Sequence, residues 1–352
     1  MYMMDWLQAM PKAELHLHLD GGLRVETALD LAEKSGWRDF AHPLSYRQMR
    51  QKMVVKGTLS SQRELLDYFQ IPGLLLQTED ALCRATYELL EDKAADGVRY
   101  CEIRWAPLLH TRRGLSVRRV VEAVLAGRQK AARLLGVHSR LIVVGMRGMA
   151  PRDNLDMLEE VRAYRRRGIA AADLAGVEED HPDPLDQLAY FHRARELGLG
   201  VTFHCGETAQ SIRYLEKAVE RIRPRRVAHG AVAAADAALC ALLRKRRVTL
   251  DLCPTSNIQA GLYPDYPSFP LERLYRSGVP VSISTDDPVL SDVTLTGEYS
   301  AVLSAGGLKP DQLWSCNLHA LRAGFMGYYE KQALLREFQR WRSQNPPQNP
   351  VE

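Results

Sequence analysis

The stretch KAELHLHLDG at residues 12–21 decides how this chain is read. Polar and apolar residues alternate along it, the period of a β-strand, so His16 and His18 project to one side, where a single cation would touch both. An H-x-H pair also occurs at strand ends for turn or packing reasons, and spacing alone does not separate the two. Recurrence does. FHCGE at 203–207, AHG at 228–230 and STDDP at 284–288 each sit just past an apolar run and bring back the same residue types.

Working outward, short apolar or β-branched runs read as strands near 13–19, 98–105, 139–146, 168–174, 199–204, 225–229, 247–253 and 279–285. Segments with helical periodicity lie between them, among them 80–95, 116–135 and 184–197. Eight alternations of strand and helix predict an α/β fold with a parallel sheet, closed as a (β/α)8 TIM barrel. An open doubly wound sheet is the competitor, but no GxGxxG follows the first strand. The interval 20–97 is too long for one βα connection and predicts a helical insertion between strands 1 and 2, serving either as a lid over the barrel mouth or as an extra packing layer.

Composition narrows the class. The chain has 352 residues, 46% of them hydrophobic, enough for one large domain over 1–340 followed by a polar, proline-rich tail at 341–352. With 47 basic and 43 acidic residues, the net charge of +4 leaves no footprint for nucleic acid. Its local clusters, Arg165 to Arg167 and Arg244 to Arg247, read as solvated helix ends. Six scattered cysteines without a CxxC predict reduced thiols and a cytoplasmic protein. The N-terminal MYMMDWLQAM lacks a basic flank and is too short for a targeting or spanning segment, and no other run approaches membrane length. Nothing in the pattern fixes an oligomeric state.

In such a barrel the C-terminal strand ends form one face, which gathers His16, His18, Gly176, His204, Glu207, His229, Asp286 and Asp287. Three imidazoles and a carboxylate (His16, His18, His204, Asp286) make a nitrogen and oxygen donor set that suits one Zn²⁺ with a position left for water, whose pKa the ion lowers to about 7. His229 and Glu207 then remain for proton transfer, and Asp287 for a hydrogen bond to a ring nitrogen. Taken singly, His229 reads as a buried histidine satisfied by backbone, and Asp286-Asp287-Pro288 as a helix cap. Those readings leave unexplained why four histidines and three acids recur at strand ends. The other six histidines (His42, His110, His138, His181, His192, His319) fall in predicted helices or loops.

The segments PKAELHLHLDGGLR (11–24), DLAG (173–176), HCGE (204–207), AHG (228–230), CPTSN (253–257) and SISTDDP (282–288) resemble, in order and along nearly the whole chain, the adenosine deaminase family of metal-dependent amidohydrolases. Residues 80–107 are similar to that family's helix and second strand. The resemblance implies a zinc-dependent hydrolytic deaminase that converts a 6-aminopurine nucleoside, adenosine or 2′-deoxyadenosine, to the 6-oxo product and ammonia. It implies one zinc held by His16, His18, His204 and Asp286, with His18 also bordering the substrate. Glu207 would protonate purine N1 and His229 would orient and deprotonate the attacking water. Asp287 would contact N7, the Gly176 N–H would contact N3, and Asp20 would contact the ribose 5′-hydroxyl.

The sequence departs from the family at Cys205, Ala228, Gly22 and Ala260; the last two are expected to flank the pocket, and alternation turns Cys205 away from the metal. A two-metal relative would bring a carboxylated lysine at the end of strand 4, yet no lysine occurs from 131 to 216. The cytidine-deaminase zinc signature, H-x-E with P-C-x-x-C, is absent as well. A binding protein with a decayed site would have lost a ligand or the acid, and none is missing. Free-adenine enzymes of that family tend to carry Glu at the position of Asp20, so the resemblance implies a ribose-bearing substrate, with a 5′-modified adenosine such as aminodeoxyfutalosine, or free adenine, as the alternative.

Overall fold

In the computed structural model, which describes residues 3–347, all strands pair in parallel. They are β1 (Lys12–His18), β2 (Val98–Trp105), β3 (His138–Met146), β4 (Ile169–Ala175), β5 (Gly200–Val201), β6 (His204–Cys205), β7 (Arg226–His229), β8 (Thr249–Leu252) and β9 (Val281–Ile283). β5 and β6 are halves of one strand. Along one edge of it the Arg225, Ala228 and Gly230 N–H groups donate to the Val201, Phe203 and Cys205 carbonyls, and on the other Thr202 N donates to Ala172 O at 3.1 Å. Eight strands therefore follow one another in chain order, as the sequence pattern requires.

The ring closes between its first and last strands. His18 N donates to Asp286 O at 2.8 Å, Asp286 N donates to His16 O at 3.1 Å, and Ser284 Oγ accepts the Leu15 and His16 N–H groups. The register of β1 on β2 slips between Glu14 and Leu17. A bulge there breaks strict alternation. Glu14 turns to the outer helix Glu79–Ala95, pairing with Lys93 at 3.0 Å, while His16 faces the interior.

Side-chain caps open several of the outer helices, among them those beginning after Thr78, Ser116 and Asp236. Helix Val117–Leu135 begins at Ser116, whose hydroxyl accepts the Arg119 N–H, and ends at Gly136 in the left-handed region with φ 68°. β3 and β4 are buried along most of their length and read as near-continuous apolar runs. The barrel interior is unusual for its charge, since Glu102, Arg104, Asp173, Arg226 and Asp251 are all fully buried there. Arg226 on β7 bonds Glu102 on β2 at 2.6 Å, a contact between non-neighbouring strands that crosses the lumen.

The insertion holds helices Val25–Lys34, Tyr46–Met53, Gln62–Asp67 and Gln70–Leu75 before Glu79–Ala95, which is the barrel's own first helix. Residues 54–63 strap across the mouth: Val55 N donates to Leu290 O at 2.9 Å, Leu59 N to Gln259 O at 2.7 Å, and Glu178 N to Gln62 Oε1 at 2.8 Å. Of the two expected roles, this segment takes the one over the mouth.

Three expectations need correcting. The tail does not start at 341, because helix Tyr328–Gln344 runs on and Trp341 stacks on Trp314 with ring centroids 5.8 Å apart; residues 348–352 lie outside the described residues. His138 opens β3 rather than a loop, at the end away from the mouth. Gly22 does not wall the pocket, since a Cβ there would meet Leu89 Cδ1 at 2.6 Å in the helix layer. Ala260 does lie beside the mouth, packed with Val55, Leu65 and Leu290. Among the described residues no helix is long and apolar enough to cross a membrane.

Candidate active site

The C-terminal ends of β1 and β6 and the turn after β9 bring four donors together. His16, His18 and His204 present their Nε2 atoms to one another at 3.1 to 3.3 Å, and Asp286 Oδ1 lies 2.8 Å from His16 Nε2 and 3.4 Å from His18 Nε2. All four donor atoms fall within 4.8 Å of one another. His204 Nδ1 faces the Asp173 carboxylate at 3.0 Å, which keeps the proton on Nδ1 and turns the Nε2 lone pair inward. Three lone pairs and a carboxylate aimed at one point repel each other unless a cation sits between them, so these residues fit a divalent metal.

Their ionisation agrees. Burial pushes the His18 imidazole down to about 3 and His16 well below the usual range, leaving both neutral, the form that ligates. Burial opposes the charge on Asp286, yet His16 and His229 hold its carboxyl well below ordinary values. Cys253, which shares a second cluster with His229 and Asp286, has its thiol raised by burial and donates weakly to Asp251 O at 3.8 Å, so it is not a thiolate ligand.

His229 ends β7 with φ 62° and Asp286 has φ 64°. Left-handed backbone at non-glycine residues costs on the order of 1 kcal/mol or more each. Here it turns both side chains into the mouth. His229 Nε2 lies 3.6 Å from both Glu207 Oε1 and Asp286 Oδ2 and has no hydrogen-bond partner, although His229 is buried.

Around this centre stand carboxyls whose environment favours the neutral form. Burial raises Glu207 to about 7, with His204 opposing and the Glu178 and Asp286 charges adding to the rise. Asp287 is pushed well above the carboxylate range by burial and then by Asp286, Asp20 and Glu207. Asp20, in the turn Asp20–Gly22 after β1, is raised to about 6, chiefly by burial. Asp20 Oδ1 and Asp287 Oδ1 are buried without partners. Gly21 makes room for Asp287, since a Cβ there would fall 1.9 Å from Asp287 Oδ1. Gly176 follows β4 with φ 125°, which glycine alone adopts readily.

Several positioning residues escaped the sequence reading. Glu178 accepts the Gly206 and Glu207 N–H groups at 3.1 and 2.7 Å and so sets the turn carrying Glu207. Arg147 donates to the His204 carbonyl at 2.6 Å. Asp173 stood inside the DLAG motif without a role, and the charged residues of YCEIRW and TLDLC are exceptions in apolar strands, the one signal of the buried network. Cys205, as expected, is buried away from the donors, its thiol 3.8 Å from Ser211 O.

A parallel barrel with a four-donor nitrogen and oxygen cluster at its strand ends, flanked by an acid and a free imidazole, defines a metal-dependent hydrolase of the amidohydrolase type. The adenosine deaminase family model matches residues 11–341, and an adenosine deaminase of Clostridium perfringens is 33% identical over 326 residues, covering 92% of this chain and 97% of that one. The chain belongs to the adenosine deaminase family, whose members are deaminating hydrolases. Among solved structures it is similar to an adenine deaminase from Arthrobacter aurescens, with TM-score 0.86 and 27% identity over 95% of this chain and 100% of that chain. It is also similar to an amidohydrolase from Burkhoderia ambifaria with bound Zn, with TM-score 0.85 and 26% identity over 97% and 93%.

Proposed function

We propose that the protein is a mononuclear zinc-dependent deaminase of a 6-aminopurine nucleoside, adenosine or 2′-deoxyadenosine, with His16, His18, His204 and Asp286 holding one Zn²⁺. The observation that carries this reading is the convergence of three Nε2 lone pairs and one carboxylate oxygen within 4.8 Å of one another. When bound, the metal supplies Lewis acidity that makes a water nucleophilic near neutral pH.

The rest is done by this chain's own groups. A purine offers acceptor lone pairs at N1, N3 and N7, and three donors answer them: the protonated Glu207 carboxyl, the Gly176 N–H and the protonated Asp287 carboxyl. Elevated carboxyls at 207 and 287 support this match, because a carboxylate could not donate. Glu207 transfers its proton to N1, which lowers the barrier to attack at C6. His229, whose Nε2 has no protein partner, orients the attacking water and takes its proton. His18 borders the substrate, and Asp20, with a free buried oxygen in the turn that follows β1, takes the 5′-hydroxyl. The proton held by His229 then passes to the C6 amino group, the C–N bond breaks and ammonia leaves, and the hydroxyl proton remaining on C6 returns to Glu207, giving the 6-oxopurine nucleoside.

Six free cysteines, five of them buried, support a reducing cytoplasmic setting. The test is ammonia release by metal-loaded protein from adenosine, 2′-deoxyadenosine, adenine and a 5′-substituted adenosine. Turnover of adenosine over adenine is expected; adenine or only the 5′-extended analogue as substrate overturns the nucleoside assignment.

A further inference from the structure

One fully buried side chain outside the donor set reaches β1 directly and, through Asp173 on β4, the histidine carried by β6. Arg104, on β2, donates through NH1 to Asp173 Oδ2 at 3.0 Å, and Asp173 in turn faces His204 Nδ1. Through NH2 it donates to the carbonyl of Leu15 at 2.9 Å, the residue immediately before His16 at the bulge of β1. The same NH2 lies 3.6 Å from Asp251 Oδ2, which Arg226 holds from the other side at 2.7 Å. Arg226 then bonds Glu102 at 2.6 Å.

The charges of this ladder have a sum. Three carboxylates (Glu102, Asp173, Asp251) against two guanidinium groups (Arg104, Arg226) leave one negative charge, and Asp286 above them adds a second. Two negative charges in a buried column are what a divalent cation at its top neutralises. Arg104 is the rung in contact with β1 and with the Asp173 partner of His204, whereas Arg226 lies one rung further from the donors.

We propose that Arg104 is a positioning residue of the metal centre, tying the orientation of His204, through Asp173, to the β1 backbone that carries His16 and His18. Its planar fork binds a carboxylate and a carbonyl at once, which an ammonium cannot copy. The inference rests on the metal-site reading above. It concerns retention of the ion, so its test does not depend on turnover.

Wild type, Arg104→Met, Arg104→Lys and Arg226→Met are loaded with Zn²⁺ and moved into excess chelator, and metal release is timed; Co²⁺-loaded samples give the visible spectrum of the site. Arg104→Met is expected to release metal about 10–100-fold faster, the range for lost outer-shell partners, with an altered Co²⁺ spectrum. Arg104→Lys falls between it and wild type. Arg226→Met, one rung further from the donors, lowers the melting temperature and changes the release rate by less than Arg104→Met does. In an Asp173→Asn background, Arg104→Met adds little further, because both act through His204. A cooperatively folded Arg104→Met with wild-type release and spectrum overturns the proposal. Should that variant fail to fold, Arg104→Lys decides by the same criterion. Wild type that takes up no metal would instead sink the metal-site reading itself.

Discussion

Replacing Glu207 by Gln separates proton donation from every other property of the site. The amide matches the carboxyl in shape, so packing under the mouth strap is kept, and Glu207 is not among the four donors, so metal content is kept. Its nitrogen still donates a hydrogen bond to N1, so KM moves little. Only the transferable proton is lost. Positioned acid catalysis contributes roughly 10²–10⁴-fold, which is about 3–5 kcal/mol of barrier at 1.36 kcal/mol per decade. The wild-type group acts in its protonated form, so kcat/KM falls as pH rises through its pKa, which burial places at about 7 in the metal-free site. A neighbouring divalent cation favours the carboxylate and moves that limb lower. In the Gln variant the limb should vanish. Steady-state ammonia release from adenosine across pH 5–9, with metal measured on the same samples, checks all three points. A kcat within about tenfold of wild type at full metal content would refute the assignment of Glu207 as proton donor.

Other outcomes follow from the same geometry. Dialysis against a chelator should abolish activity and lower the melting temperature, with both restored by Zn²⁺; a ligand at 100 times its Kd adds about 2.7 kcal/mol to folding. Gly21→Ala puts a methyl group 1.9 Å from Asp287 Oδ1, so it should cost about 1–3 kcal/mol by overpacking and cut kcat/KM while metal content stays, as melting and metal analysis would show. Asp20→Asn should raise KM for adenosine about 10-fold or more, from weakening a charge-assisted bond, without a matching change for adenine. The same variant should stabilise the free protein. Asp20 is raised to about 6 when folded, so its ionisation opposes folding above that pH by on the order of 1–3 kcal/mol and not below about 4. Melting curves at pH 4 and 8 would show the gain at 8 alone.

Adjacent-residue patterns carried most of the site. The H-x-H period on β1, the recurrence of HCGE, AHG and STDDP at strand ends, and the eight strand-helix alternations are local or strictly repeating, and the barrel's symmetry of direction turns repetition in sequence into convergence in space. From those alone His16, His18, His204 and Asp286 could be gathered at one mouth. Folding decided what depends on contacts between distant strands. The β1 bulge that sends Glu14 outward while His16 faces in, the left-handed backbone at His229 and Asp286, and the Glu178 clamp on Glu207 leave no periodic trace. The ladder from His204 through Asp173, Arg104, Asp251 and Arg226 to Glu102 joins residues at least 25 positions apart across the lumen. A sequence records each charge but not its partner, and a buried charge is tolerable only once the closed barrel has supplied that partner.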